Sequence, residues 1–329
     1  MGKKLKKTDQ VKIVQMKRLG YSNRSIAVHL WNNTQLESRI RRYLSTLKPI
    51  DYAISSDSVM QNPIEENLKI QDNLKILYYD VEISPTQALV WGRFKQNISS
   101  SQIVSHWYVL TQSWAWSNGE ITGSRLTHQE ALDEDDEGLI TQIWNLLDEA
   151  DVVIGHNLRR FDIKKINARF AYYGFPAPSP YKIIDTLEIA KVRFGFPSNK
   201  LNDLCEYLGI GVKADVGGME TWAKAIKGCD EALDHMLEYN HQDINLTRQL
   251  YNRLKSFDNN AVNLAVMRGG QGKALCPTCT SDDIVPMEGK YVYTPNSRYQ
   301  AYRCRNCNTN MRSTSRDKSS GNAFVRVVI

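Results

Sequence analysis

Three acidic motifs and one set of thiols carry the chemistry that this 329-residue chain offers. The first is Asp80-Val81-Glu82. In a strand, residues two apart face the same side, so the two carboxylates point together. Side by side they repel unless a proton or a cation lies between them, and hard oxygen donors suit Mg²⁺ or Mn²⁺. The second is His156-Asn157-Leu158-Arg159-Arg160-Phe161-Asp162, in which Asp162 stands where a helix starts. The third is Tyr239-Asn240-His241-Gln242-Asp243, where Tyr239 and Asp243 share one helix face. Taken singly, these motifs equally describe a solvated strand end, a helix N-cap and a surface Asp. The thiols are Cys276, Cys279, Cys304 and Cys307, two C-x2-C pairs with 24 residues between them. That spacing suits tetrahedral Zn²⁺, and four thiolates leave no open coordination position.

The elements that must hold these groups follow from periodicity. Residues 75–81 are apolar and β-rich and predict a strand that ends on Asp80 and Glu82. Residues 89–94 and 104–116, rich in Val, Trp and Tyr, predict further strands. Residues 138–150 have a helical period, 152–154 form a short buried strand, and 162–173 predict a helix ended by Gly174 and Pro176. A short helix over 201–208 and a long amphipathic helix over 230–254 complete the set. Mixed strands and helices in this order predict an α/β domain.

The order D-x-E, N-x-x-x-F-D, Y-x-x-x-D, each on the element that suits it, resembles the three exonuclease motifs of the DEDD superfamily in its Tyr-bearing subtype. Residues 183–187 and 200–209 look similar to stretches of that family too. The resemblance covers about residues 74–257. It implies a ribonuclease H-like mixed sheet with flanking helices, like the proofreading domains of family B DNA polymerases, and a 3′–5′ exonuclease using two Mg²⁺ or Mn²⁺ ions. It implies that Asp80 bridges both ions, Glu82 and Asp243 hold the one on the nucleophile side, Asp162 holds the other, and Tyr239 orients the attacking water. The sister subtype places His five residues before the last Asp; that position here is Glu238, so the Tyr subtype matches better. Asn157, His156 and Phe161 become candidate substrate contacts; His156 and Asn157 could instead simply fix the turn, and Phe161 could instead be a core residue. Rival functions are a ribonuclease H-like endonuclease of resolvase or transposase type, and an inactive DNA-binding regulator.

The net charge of +6 hides an uneven distribution. Residues 1–50 carry 12 Lys+Arg against 2 Asp+Glu, residues 51–260 carry 20 against 30, and residues 261–329 carry 10 against 4. Basic ends around an acidic middle point to a polyanionic partner. Residues 1–50 predict a small all-α, helix-turn-helix-like module, with Arg39, Arg41 and Arg42 on or near the outer face of its third helix. Residues 51–73 and 258–273 read as linkers, 74–257 as the nuclease domain, 274–312 as a zinc ribbon with one structural Zn²⁺, and 313–329 as a frayed tail. Within the ribbon, Arg298, Arg303, Arg305 and Arg312 with nearby tyrosines offer a second grip on nucleic acid. The expected partners are nucleic acid, DNA favoured, together with replication or repair proteins. No run of 18 apolar residues predicts a membrane span. The opening Met1-Gly2-Lys3-Lys4-Leu5 lacks an apolar signal core, which predicts an intracellular protein, cytoplasmic or nucleoid-associated, or in the host cell if viral.

Overall fold

The computed structural model describes residues 5, 7–18, 23–31, 40, 43–44, 74–117, 119–212, 217–269 and 273–318. The chain divides into two compact units, residues 1–70 and 71–329. In the first, helices α1 (Lys7–Arg18) and α2 (Asn23–Trp31) bury Ile13, Ile26 and Ala27 against Ile40 and Leu44. Those five residues form a small helical core. Arg39, Arg41 and Arg42 lie outside the described residues.

The second unit is built on a five-stranded mixed sheet in the order β5-β4-β1-β6-β7. Its strands are β1 (Ile76–Ile83), β4 (Val109–Trp116), β5 (Thr122–Arg125), β6 (Val152–Gly155) and β7 (Lys182–Asp185), while β2 (Gln87–Ala88) and β3 (Ile103–Ser105) pair separately. β1 is central, antiparallel to β4 and parallel to β6. Helices α3 (His128–Leu132) and α4 (Glu137–Glu149) follow β5, α5 (Asp162–Tyr173) follows β6, and α6 (Thr186–Arg193) follows β7. Then come α7 (Leu201–Tyr207), α8 (Met219–Ala225) and the 25-residue α9 (Asp230–Leu254).

Alternation along β1 separates two cores. Leu77, Tyr79 and Val81 pack with Ile140, Ile143 and Leu147 of α4 and Ile163, Ile166 and Phe170 of α5. Tyr78 turns the other way and packs with Ile244, Leu250, Tyr251 and Leu254 of α9. Asp80 and Glu82 follow Tyr78 on that second face, towards α9.

Several expectations need correction. Residues 89–94 form no strand: Leu89, Trp91 and Phe94 are exposed on a loop. Aromatic and branched residues favour strands only where a neighbour covers them. Residues 104–116 break into β3 and β4, because Ser84 and Tyr108 exchange hydrogen bonds at the turn between them. The segment read as a linker at 258–273 carries α10 (Leu264–Met267), and Leu264 is buried in the α9 core. The Leu264 N–H donates to Pro277 O at 2.8 Å, tying the cysteine module to the sheet domain. The start of the tail is also held. Asp317 pairs with Arg298 at 2.9 Å, and its N–H donates to the Arg298 carbonyl.

Candidate active site and cysteine centre

The carboxylates meet where β1 runs past β6 while still paired with β4. The parallel β1–β6 pairing runs from Ile76 opposite Val152 to Tyr78 opposite Ile154. Beyond it, the Val81 N–H donates to the carboxyl of Asp162, the first residue of α5. The chain reaches Asp162 through a tight loop. Asn157 sits in the left-handed region at φ 64°, where Asn is tolerated, and its carbonyl accepts from the N–H groups of Arg160 and Phe161. The buried Asp185 clamps this loop from β7 by accepting from the N–H groups of Asn157 at 2.9 Å and Arg159 at 3.1 Å. It also caps α6 through the N–H of Leu187.

Asp80, Glu82 and Asp243 each present an oxygen within 4.8 Å of the others. Asp243 is buried, and Asp80 and Glu82 are half-buried. Asp162 stands beside them, 2% exposed, and one of its oxygens is buried with no hydrogen-bond partner. Burial pushes the Asp162 carboxyl up to about 7, and the charges of Asp185 and Asp243 push the same way. Across the ladder, Thr111 lies opposite Glu82 and Ser113 opposite Asp80. Both hydroxyls are buried without partners. An all-oxygen donor set, gathered at this spacing and leaving a carboxylate oxygen and two hydroxyls unsatisfied, fits a hard divalent cation with bound water.

α9 supplies the opposite wall. Tyr239 is half-buried, one helical turn before Asp243. Between them Asn240 is fully buried and donates its side-chain amide to Asp80 Oδ2 at 2.5 Å. Asn240 carries no charge, but an interior Asn in a helix is a weak helix former and therefore a signal of another role. His241 faces away from the carboxylates, against Gly123 of β5. A Cβ at Gly123 would lie 2.6 Å from His241 Nε2 and 2.7 Å from the Gln112 carbonyl, so only glycine lets α9 approach this closely.

The other candidates separate by contact. The two ring nitrogens of His156 engage Thr186 Oγ1 at 2.9 Å and the Asn199 carbonyl at 3.0 Å, so this residue fixes the turn. Phe161 precedes Asp162 and is 41% exposed, an open ring beside the carboxylates. Lys165 Nζ, one turn along α5, lies 4.0 Å from the Trp107 ring centroid and 5.8 Å from that of Phe161.

The cysteine centre lies on a separate three-stranded sheet, β8 (Ile284–Thr294), β9 (Ser297–Cys304) and β10 (Asn310–Arg312), with β9 central. Cys276, Cys279, Cys304 and Cys307 bring their sulfurs within 4.8 Å of one another, and none forms a disulfide. Cys276 and Cys307 are 3.5 Å apart and Cys279 and Cys304 3.6 Å. A tetrahedral Zn²⁺ with Zn–S bonds of about 2.3 Å needs S···S of about 3.8 Å, so the thiols fit it closely. The two knuckles match. Each first cysteine carbonyl accepts from the N–H four residues on, at Thr280 and Asn308, and both of those residues have positive φ. Arg298 stacks on Tyr291 and Arg312 on Tyr299, which orders the basic face of the hairpin.

A family model described as the RNase H superfamily matches residues 98–255, a span that holds Asp162, Tyr239 and Asp243 and begins after Asp80 and Glu82. Protein NEN4 of Arabidopsis thaliana is 35% identical over 95 residues, which are 28% of this chain and 35% of that protein. The chain thus spans about a third of that relative's length. A solved family B DNA polymerase from the archaeon Pyrobaculum calidifontis is similar at 17% identity and a TM-score of 0.42, over 56% of this chain and 25% of the polymerase. With its mixed five-stranded sheet and flanking helices, the domain that carries the carboxylates has an RNase H-like fold.

Proposed function

We propose that this chain is a divalent-metal-dependent nuclease, and specifically a 3′–5′ exonuclease of the Tyr-bearing DEDD type. The observation that carries the reading is the convergence of Asp80, Glu82 and Asp243 within 4.8 Å beside the buried Asp162, on a fold of the RNase H class. These four carboxylates are the residues that would hold two Mg²⁺ or Mn²⁺ ions. Such ions, when bound, neutralise the phosphodiester and activate water for in-line attack.

The chain's own groups divide the remaining work. Asn240 fixes the orientation of Asp80. Tyr239 stands one turn from Asp243, where its hydroxyl can orient the attacking water. Phe161 offers an open ring on which a terminal base can stack. The RNase H superfamily match and the resemblance of the three motifs support nucleic acid as the substrate class, and DNA is the proposed substrate. Cys276, Cys279, Cys304 and Cys307 would hold one structural Zn²⁺, which would stand in for a hydrophobic core that the small C-terminal hairpin lacks.

The test uses purified full-length chain, Mg²⁺ or Mn²⁺, and single-stranded DNA, duplex DNA and RNA labelled separately at each end. Stepwise shortening from the 3′ end is expected. Internal cuts would favour a resolvase-like endonuclease, and no cleavage of any substrate with either ion would leave an inactive nucleic-acid-binding protein.

A further inference from the structure

A second site lies at the other end of β1 from Glu82, between the sheet domain and the first cysteine knuckle. Here the structure leaves a cleft of about 710 Å³. Four cations line it, Lys75, Arg248, Lys255 and Arg268, against one carboxylate, Glu149. Glu149 is taken up by Lys75 at 2.7 Å, which leaves a positive cleft.

Its walls are aromatic as well as basic. Trp116 is half-buried at the rim, while the buried rings of Tyr78 and Tyr251 back the cations, the Arg248 guanidinium 5.4 Å from the Tyr78 centroid and Lys255 Nζ 5.9 Å from that of Tyr251. Hydroxyls of Thr278 and Thr280 close the side formed by the cysteine module, and Arg268 donates to Thr280 Oγ1 at 3.3 Å. Cations that track phosphates and a ring on which a base stacks, here the partly open Trp116, are the two parts of a single-strand binding groove.

The cleft lies along the same strand and helix that carry the carboxylates. Tyr78 precedes Asp80 by two residues on the same face of β1, about 7 Å along the strand. Arg248 and Tyr251 follow Asp243 along α9, and Lys255, just past its end, lies about 18 Å further along the helix axis. We infer that this cleft holds a phosphate-bearing segment of single-stranded nucleic acid, several nucleotides away from the end seated at the carboxylates. The inference rests on the nuclease reading for the source of that strand. A duplex keeps its bases stacked and offers none to the Trp116 ring.

Binding is read by fluorescence anisotropy with a labelled single-stranded oligonucleotide of about 15 nucleotides, in Ca²⁺, on the full zinc-loaded chain. The variant is Lys75→Glu/Lys255→Glu, because Arg268 contacts the cysteine knuckle and its loss would disturb the metal. A control, Lys191→Glu/Lys227→Glu, makes the same charge change on exposed residues elsewhere. The cleft variant should bind about tenfold or more weakly, with a salt slope shallower by about 1.4 for two lost phosphate contacts. The control should stay within about twofold of the unaltered chain at the same salt. Equal loss in both variants, no loss in either, or tighter binding of a duplex probe of the same length would overturn the assignment. Cleavage is scored separately on the unaltered chain. No cleavage with cleft binding intact removes the nuclease reading alone, and cleavage with equal binding by both variants removes the cleft alone.

Discussion

The side-chain amide of Asn240, buried in the long helix α9, donates to Asp80 Oδ2 on the central strand. This contact joins the first and third acidic motifs directly and sets which oxygen of Asp80 faces the other carboxylates. Partners of this kind orient metal ligands, and their loss usually weakens metal affinity about 10- to 100-fold. Asn240→Ala should therefore keep its fold and bind Mn²⁺ about 10- to 100-fold more weakly by calorimetric titration. Unchanged affinity would show that Asp80 needs no such support.

Asp162 gives the site a pH dependence. In the metal-free chain burial raises its carboxyl to about 7, against an unfolded value near 3.9. Between those values the folded chain keeps a proton that the unfolded chain has released. The stability contributed by this group is complete below about pH 4 and falls as pH rises towards 7, by up to about 1.4 kcal/mol per unit. Comparing Asp162→Asn with the unaltered metal-free chain by denaturant unfolding across pH 4–7.5 should show this fall only in the latter. A divalent cation displaces the proton, so apparent metal affinity should rise over the same range.

The close approach of α9 to β5 depends on Gly123. A methyl group there meets the Gln112 carbonyl and the His241 and Leu237 side chains at 2.6–2.7 Å. Gly123→Ala should cost about 1–3 kcal/mol of stability in denaturant unfolding. Because the displaced helix carries Asp243, cleavage should fall with it. A variant as stable as the parent would mean that α9 stands further from the sheet than these contacts require.

The cysteine centre should contain one equivalent of zinc by elemental analysis. Cys304→Ser should lose that zinc, and amide protection should collapse across β8 and β9. Protection in β1, β4 and β6 should persist, since those strands have their own buried core. Full zinc retention in Cys304→Ser would contradict four-thiolate coordination.

Much of this site was readable because its chemistry sits on strict periods. Asp80 and Glu82 share a strand face, Tyr239 and Asp243 share a helix face, and Asp162 opens a helix whose limits match the predicted 162–173. The cysteine spacing likewise named its own cluster. What stayed hidden depends on contacts between distant elements. Asn240 carries no charge and belongs to no spacing rule; only the fold brings it to Asp80. Asp185 was visible in a family-like stretch, but its clamp on the 157–159 backbone needs β6 and β7 to be neighbours. Thr122–Arg125 is too polar to read as a strand, yet it pairs with β4 along its whole length. The opposite error arose at 89–94, where strand-like residues have no sheet to join.

The central claim, that Asp80, Glu82, Asp162 and Asp243 form a metal-dependent nuclease centre, is tested most directly by single-turnover cleavage of a 5′-labelled single strand in Mn²⁺. The unaltered chain should yield a descending ladder of products. Asp80→Asn, checked for intact fold by circular dichroism and for strand binding by anisotropy, should cleave about a thousandfold more slowly or less. An Asp80→Asn chain that cleaves at the parental rate would contradict the claim, whatever products it forms.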